Sequence, residues 1–240
     1  MNIVIPMAGL GSRFSDAGYE LPKPFIDVNG KPMISRVMDN LSHPNVNFIL
    51  LANAQHLARF PGVVEEISRS YPVTFIPVSK TTEGTACTVL YARKALDLDQ
   101  PVIVANSDQI VDIDFSDFIG DAEARNLDGS IMTFIDGERN PKWSFAELNA
   151  EKLVVRVREK EPISQFATVG IYHFKRADCL LDSIIQMIIE NDRTNNEFYI
   201  CPVYNYLIGD GLKVGIFNIE HNQMHGIGTP ADLNAYLVNV

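Results

Sequence analysis

The sequence predicts an α/β fold whose mostly parallel central sheet is covered by helices on both faces, and three observations carry the prediction. Apolar runs of strand length alternate with helical patterns through the first hundred residues, the first run empties into a glycine loop, and Asp108 stands shortly after the run 101–105. Alternation of this kind marks parallel strands joined by crossover helices. In such sheets ligands bind beyond the carboxyl ends of the strands, where Gly9, Gly84 and Asp108 are expected to converge.

The elements follow in order. A strand over 2–6 precedes a helix over 32–41, a strand over 46–52, a helix over 63–70 and a strand over 73–78. A helix over 83–96 and a strand over 102–105 complete the rhythm, and Asp112 and Asp114 are expected to cap a helix starting near Phe115. Strand-like runs then crowd together at 129–135, 144–149, 153–158 and 167–174, which reads as a mixed second half. Leu180, Leu181, Ile184, Ile185 and Ile188 form the broad apolar face of a core helix, and a last helix covers 230–237.

With 240 residues and 46% hydrophobic content, one substantial core is expected and no second domain is required. The net charge of −10 argues against nucleic acid or an anionic membrane as partner. An enzyme acting on polyanions with this balance must gather its cations locally and recruit a metal. Cys87, Cys179 and Cys201 lie far apart and form no Cys-x-x-Cys pair, so they read as reduced thiols of a cytoplasmic protein. No basic segment precedes the first apolar run, which Pro6 breaks, so no secretory leader is expected, nor does any run approach the ~20 apolar residues of a membrane helix.

The chemistry concentrates first in Met7-Ala8-Gly9-Leu10-Gly11-Ser12-Arg13-Phe14 and the following Pro22-Lys23-Pro24. Gly9 and Gly11 remove side chains that would keep backbone N–H groups from closing around phosphate oxygens, and Arg13 offers a planar fork of donors. Lys23 adds a point charge restrained by a proline on each side. A dinucleotide fingerprint would need glycine where Phe14 stands, and no Gly-x-x-x-x-Gly-Lys-Ser/Thr occurs. Asp108 reads on its own either as a turn former or as a hard oxygen ligand for a divalent ion. Gly84, within Thr81-Thr82-Glu83-Gly84-Thr85, suggests close approach of something flat such as a nucleobase, against a plain threonine-capped helix entry. The run Arg158-Glu159-Lys160-Glu161-Pro162, taken alone, reads as a solvated face.

Ala8-Gly9-Leu10-Gly11-Ser12-Arg13, with Lys23 ten residues on inside Pro-Lys-Pro, resembles the signature of the sugar-phosphate nucleotidyltransferases, or nucleotide-sugar pyrophosphorylases. The later segments follow in that family's order, from Gly9 to Asp232. The resemblance implies a Rossmann-like three-layer sandwich forming a single domain over 1–240. Its nucleotide-binding half would be 1–115, and 116–240 would form a smaller acceptor-binding subregion. It implies joining of a sugar phosphate, or a similar phosphorylated metabolite, to a nucleoside triphosphate with release of pyrophosphate, supplying activated precursor for surface polysaccharide. By the same resemblance Ala8, Gly9, Gly11 and Ser12 meet the phosphates, and Ser79, Gly84 and Thr85 meet the base. Arg13 holds the leaving pyrophosphate, Lys23 the charge growing at the α-phosphoryl group, and Asp108 a Mg2+ cofactor.

Glu159, Lys160 and Gly170 would hold the acceptor, Lys160 through its phosphate, with Asn196 and Glu197 on an acceptor-side loop. Glu161 is an insertion relative to the family's Glu-Lys-Pro motif. Gly226 stands where many members keep an aspartate as second metal ligand, and His225 is its neighbour. Base, acceptor and self-association stay open. So do two other readings: a GT-A-like glycosyltransferase with Asp112 and Asp114 as its metal pair, and a non-catalytic nucleotide-binding protein.

Overall fold

The computed structural model describes residues 1–239. Its first half runs β1 (Asn2–Met7), α1 (Ser12–Asp16), β2 (Asp27–Val28), β3 (Lys31–Pro32), α2 (Met33–Asn40), β4 (Asn47–Asn53), α3 (Ala54–Arg59), α4 (Pro61–Ser70), β5 (Val73–Val78), α5 (Thr85–Val89) and β6 (Val102–Ala105). The second half runs β7 (Gln109–Val111), α6 (Phe115–Ala124), β8 (Gly129–Ile135), β9 (Ser144–Leu148), β10 (Val154–Glu159), β11 (Phe166–Phe174), α7 (Ala177–Ile189), α8 (Tyr204–Gly209), β12 (Val214–Ile219), β13 (Met224–Gly226) and α9 (Pro230–Asn239).

β1 lies between β4 and β6, parallel to both, with β5 parallel to β4 beyond. Its Ile3, Val4 and Ile5 are wholly buried because both faces of the sheet are covered. Val4 joins a core with α5 and α7, and Ile3 and Ile5 join a second core with α2 and α6. β11 then runs antiparallel to β6 and carries the sheet into the second half, pairing with β8 and β9. The sheet is therefore parallel around β1 and mixed beyond β11, as the crowding of late strand runs leads one to expect.

Several elements differ from the sequence reading. The helix expected over 83–96 is α only over Thr85–Val89 and tightens into a 3-10 turn over Leu90–Lys94. Asp114 caps α6 by accepting from the Ser116 N–H at 2.9 Å, but Asp112 does not cap it: its carboxylate meets His225 Nε2 at 2.7 Å. β12 and α8 were not anticipated, and β12 lies parallel to β8 across the sheet.

Three smaller features bear on the site and the sheet. β7 and β13 form a two-stranded ribbon that brings residues 224–228 beside Asp108. A third core of Phe14, Ile26, Val28, Met33, Ile110, Ile227 and Leu233 seats the glycine loop and α1 on α9. At one end of the sheet the Asn205 side chain clasps β10, accepting from Val157 N–H at 2.9 Å and donating to its carbonyl at 3.1 Å. Two other strands are terminal: β5, which carries Pro77, and β12 beyond β8.

Candidate active site

A cleft of about 450 Å³ opens at the carboxyl ends of β1, β5 and β6. Met7, Ala8, Gly9, Gly11, Ser12 and Arg13 line one wall, Thr81, Thr82, Gly84 and Thr85 another, and Asn106, Ser107 and Asp108 the floor between. Three crossovers of a parallel sheet have thus brought together residues a hundred positions apart. Arg13, Lys23 and Lys80 are the cations among the lining residues, and Asp108 and Glu197 the carboxylates.

Lys23 sits on a 3-10 turn (Lys23–Phe25) entered through Pro22, and its ammonium is ion-paired to Asp108 Oδ2. Both side chains keep about a fifth of their surface exposed, at 20% and 23%, so an incoming ligand can reach the pair. The Asp108 carbonyl accepts from Ile227 N–H at 2.9 Å, and Gly228 passes so close to the carboxylate that a side chain there would overlap it.

Gly84 has φ 126° and ψ 172°, a backbone conformation that only glycine adopts readily. A methyl group at that Cα would lie 2.8 Å from the Phe198 carbonyl carbon and closer still to its nitrogen and oxygen. The flat object expected against Gly84 is therefore, in the first place, the main chain of Phe198. The adjoining Thr82 hydroxyl donates to Gly84 O at 3.1 Å and lies 2.6 Å from the Thr88 hydroxyl, which stiffens this wall.

On the acceptor side only Glu197 of the expected residues lines the cleft; Glu159, Lys160, Gly170 and Asn196 stand outside its lining, as does Ser79 on the base side. Lys160 has φ 57°, unusual for a lysine, and donates to the Tyr199 hydroxyl at 2.7 Å. That hydroxyl, with the carboxylates of Glu159 and Glu197, holds the ammonium above its ordinary pKa. Burial pushes the Glu159 carboxyl up, against the opposing effect of a hydrogen bond from Ser144. Gly170 lies behind the cleft floor: its carbonyl accepts from Asn106 N–H at 2.9 Å, and the Asn106 side chain fills the space where a Cβ would be. The Asn196 carbonyl accepts from Arg193. Glu161 is turned outward toward Arg158, 3.9 Å away.

Lys80, Thr82 and Asn106 line the cleft without having been singled out from sequence. Lys80 and Asn106 flank the segments that drew attention, and the signal available was their place just past a strand end.

Among the described residues no group of three or more His, Cys, Asp or Glu side chains could hold a metal ion by itself. His225 Nε2 is engaged with Asp112, and Gly226 carries no side chain, so this turn adds no side-chain metal ligand beside Asp108. A magnesium ion commonly takes one or two protein carboxylates and completes its shell with water and substrate phosphates. Asp108 fits that habit once Lys23 yields. Asp112 and Asp114, engaged with His225 and Ser116, are not arranged as a metal pair.

A glycine loop, three cations and two carboxylates thus meet at the mouth of a parallel sheet. The chain matches the nucleotidyl transferase family over residues 3–219 and belongs to it. It is 29% identical to a mannose-1-phosphate guanyltransferase of Schizosaccharomyces pombe over 177 residues, 72% of this chain and 49% of that protein. It is 30% identical to a mannose-1-phosphate guanyltransferase of Debaryomyces hansenii over 240 residues, 97% of this chain and 62% of that one. The chain spans about half the length of the curated relatives it matches. A solved structure described as the nucleoside-diphosphate-sugar pyrophosphorylase from Vibrio cholerae RC9 superposes with a TM-score of 0.85 at 27% identity, covering 98% of this chain and 99% of that one. The inositol-1-phosphate CTP transferase of T. maritima shares the fold, with a TM-score of 0.77 at 14% identity.

Proposed function

We propose that the protein is a nucleotidyltransferase that joins a sugar phosphate, or a similarly small phosphorylated metabolite, to a nucleoside triphosphate and releases pyrophosphate. The observation that carries this reading is the convergence of the glycine loop, Arg13, Lys23 and Asp108 on one cleft in a chain of this family. The product would be an activated precursor for surface polysaccharide, made in a reducing, cytoplasmic compartment that suits the free Cys87, Cys179 and Cys201.

In this mechanism an oxygen of the acceptor phosphate attacks the α-phosphorus in line. The nucleophile is already anionic, so no general base is needed and catalysis reduces to positioning and charge stabilisation. Backbone N–H groups of the glycine loop meet the phosphates, Arg13 takes the charge gained by the leaving pyrophosphate, and Lys23 takes the charge growing at the α-phosphoryl group. Asp108 would hold Mg2+, which when bound neutralises phosphate charge. Lys23 must then exchange Asp108 for the phosphoryl oxygens, so the ion pair is the resting arrangement of two groups that serve the substrate separately. Gly84 and Thr85 belong to the cleft wall that would face the base, the glycine itself being required by the Phe198 main chain behind it. Lys160, steadied by Tyr199, would reach the acceptor beside Glu197.

The test is pyrophosphate release across a matrix of triphosphates and acceptors that includes GTP, CTP and dTTP with mannose, glucose and inositol 1-phosphates. Release that depends on one pair, falls at least about a hundredfold in Arg13→Ala or Asp108→Ala and stops in excess chelator is the expected result. Full turnover in chelator would remove the metal from the scheme, and no release with any pair would remove the scheme itself.

A further inference from the structure

The loop that carries Glu197 and Tyr199 is organised around one guanidinium. Arg193 Nε donates to Asn191 Oδ1 at 2.6 Å, Nη1 donates to the Asn196 carbonyl at 3.2 Å, and Nη2 is ion-paired to Glu83. Its Cζ lies 4.2 Å from the centre of the Phe198 ring. The loop needs such an anchor, because Asn191, Asn195 and Asn196 all have positive φ and its internal main-chain bonds reduce to the Thr194–Glu197 pair.

The loop is also suspended from the opposite wall of the cleft. Phe198 N–H donates to Glu83 O at 2.8 Å, and Ala86 N–H donates to Phe198 O at 3.0 Å, on either side of Gly84. Arg193 and Glu83 close this junction from outside. An isolated surface ion pair contributes little. This one differs because the fork is used in three directions at once and only 29% of the arginine side chain is exposed.

We propose that Arg193 is a positioning residue for the acceptor: it ties the acceptor loop to the nucleotide-side segment 83–86 and so sets where Glu197 and Tyr199 stand. Through Tyr199 the effect passes to Lys160, whose ammonium is held at 2.7 Å by that hydroxyl. The inference rests on the function proposed above for the roles of Glu197 and Lys160, but the junction itself is a property of the chain.

The experiment compares Arg193→Ala, Arg193→Lys and Glu83→Gln in two assays on the full chain. Hydrogen exchange of the 194–199 amides is expected to quicken about tenfold or more in Arg193→Ala and less in Glu83→Gln, with the α7 amides unchanged. With the best pair from the matrix, the acceptor KM should rise about tenfold in Arg193→Ala, the scale of one lost charge-assisted hydrogen bond, and the triphosphate KM should stay within about twofold. Arg193→Lys, which keeps the charge and loses the fork, should recover part of that loss, and Glu83→Gln reads the same split should Arg193→Ala fold poorly. Unchanged exchange in 194–199, or equal rises in both KM values, overturns the proposal. If the wild-type chain releases no pyrophosphate with any pair, the proposed function fails, and the exchange measurement still decides the junction.

Discussion

Replacing Gly84 by alanine separates two reasons for a glycine at the base-side wall. If the residue is glycine to admit a nucleobase, the ligand-free protein should tolerate the change. The geometry says otherwise, because the added methyl group would overlap the Phe198 main chain and φ would stay at 126°. Holding a non-glycine residue there costs about 1–3 kcal/mol. Pushing Phe198 away weakens its bonds with Glu83 and Ala86, each contributing about 1 kcal/mol. The sum is about 3–5 kcal/mol, a large share of the 5–15 kcal/mol that holds a typical domain folded. Phe198 is only 1% exposed and belongs to the main core, so the displacement cannot stay in the loop. For a chain of this size even the lower figure lowers the melting temperature by about 6–12 °C, measured by circular dichroism without ligand. An unchanged melting temperature with weakened triphosphate binding would refute the argument and return Gly84 to the base.

Three other outcomes are expected. Burial lowers the His173 pKa to about 4, so the folded state resists a proton that the unfolded chain accepts near 6.5. Its contribution is complete above pH 6.5 and is lost as pH falls toward 4, by about 3 kcal/mol in all, and urea titrations of His173→Phe should show that slope flattened. Asp114→Ala should lower the melting temperature by uncapping α6 while Asp112→Ala spares that helix, and both should keep turnover; loss of turnover in both folded variants would favour a glycosyltransferase. Lys160→Ala should raise the acceptor KM about tenfold to a hundredfold with little change for the triphosphate, whereas Arg13→Ala should act on the triphosphate and kcat; equal weakening of one substrate would contradict the two-sided cleft.

Much of the nucleotide half was legible because its signals are local. The run 2–6 had to be a buried strand, the glycines and Pro22-Lys23-Pro24 punctuate the chain where it turns, and the cleft lies where such a sheet ends. What escaped depended on partners distant in sequence. β12 has Gly215 and Asn218 diluting its apolar pattern, and it exists because β8 offers an edge more than eighty residues earlier. Asp112 looked like a cap until His225, arriving on the opposite strand of a ribbon, took its carboxylate. Gly84 was conspicuous in sequence, but its reason, Phe198, is more than a hundred positions away.

The Asn205 clasp on β10 has a consequence outside catalysis. A sheet that does not close on itself leaves terminal strands, here β10, β5 and β12, and each is a template on which another chain can add a strand and start an aggregate. Here the Val157 N–H and C=O are already occupied by a side-chain amide that imitates one residue of a neighbouring strand, delivered by a helix that cannot extend the ladder. On the terminal strand β5, Pro77 withholds an N–H from any incomer. A single side chain at β10 and another at β5 thus discourage strand addition at those two margins.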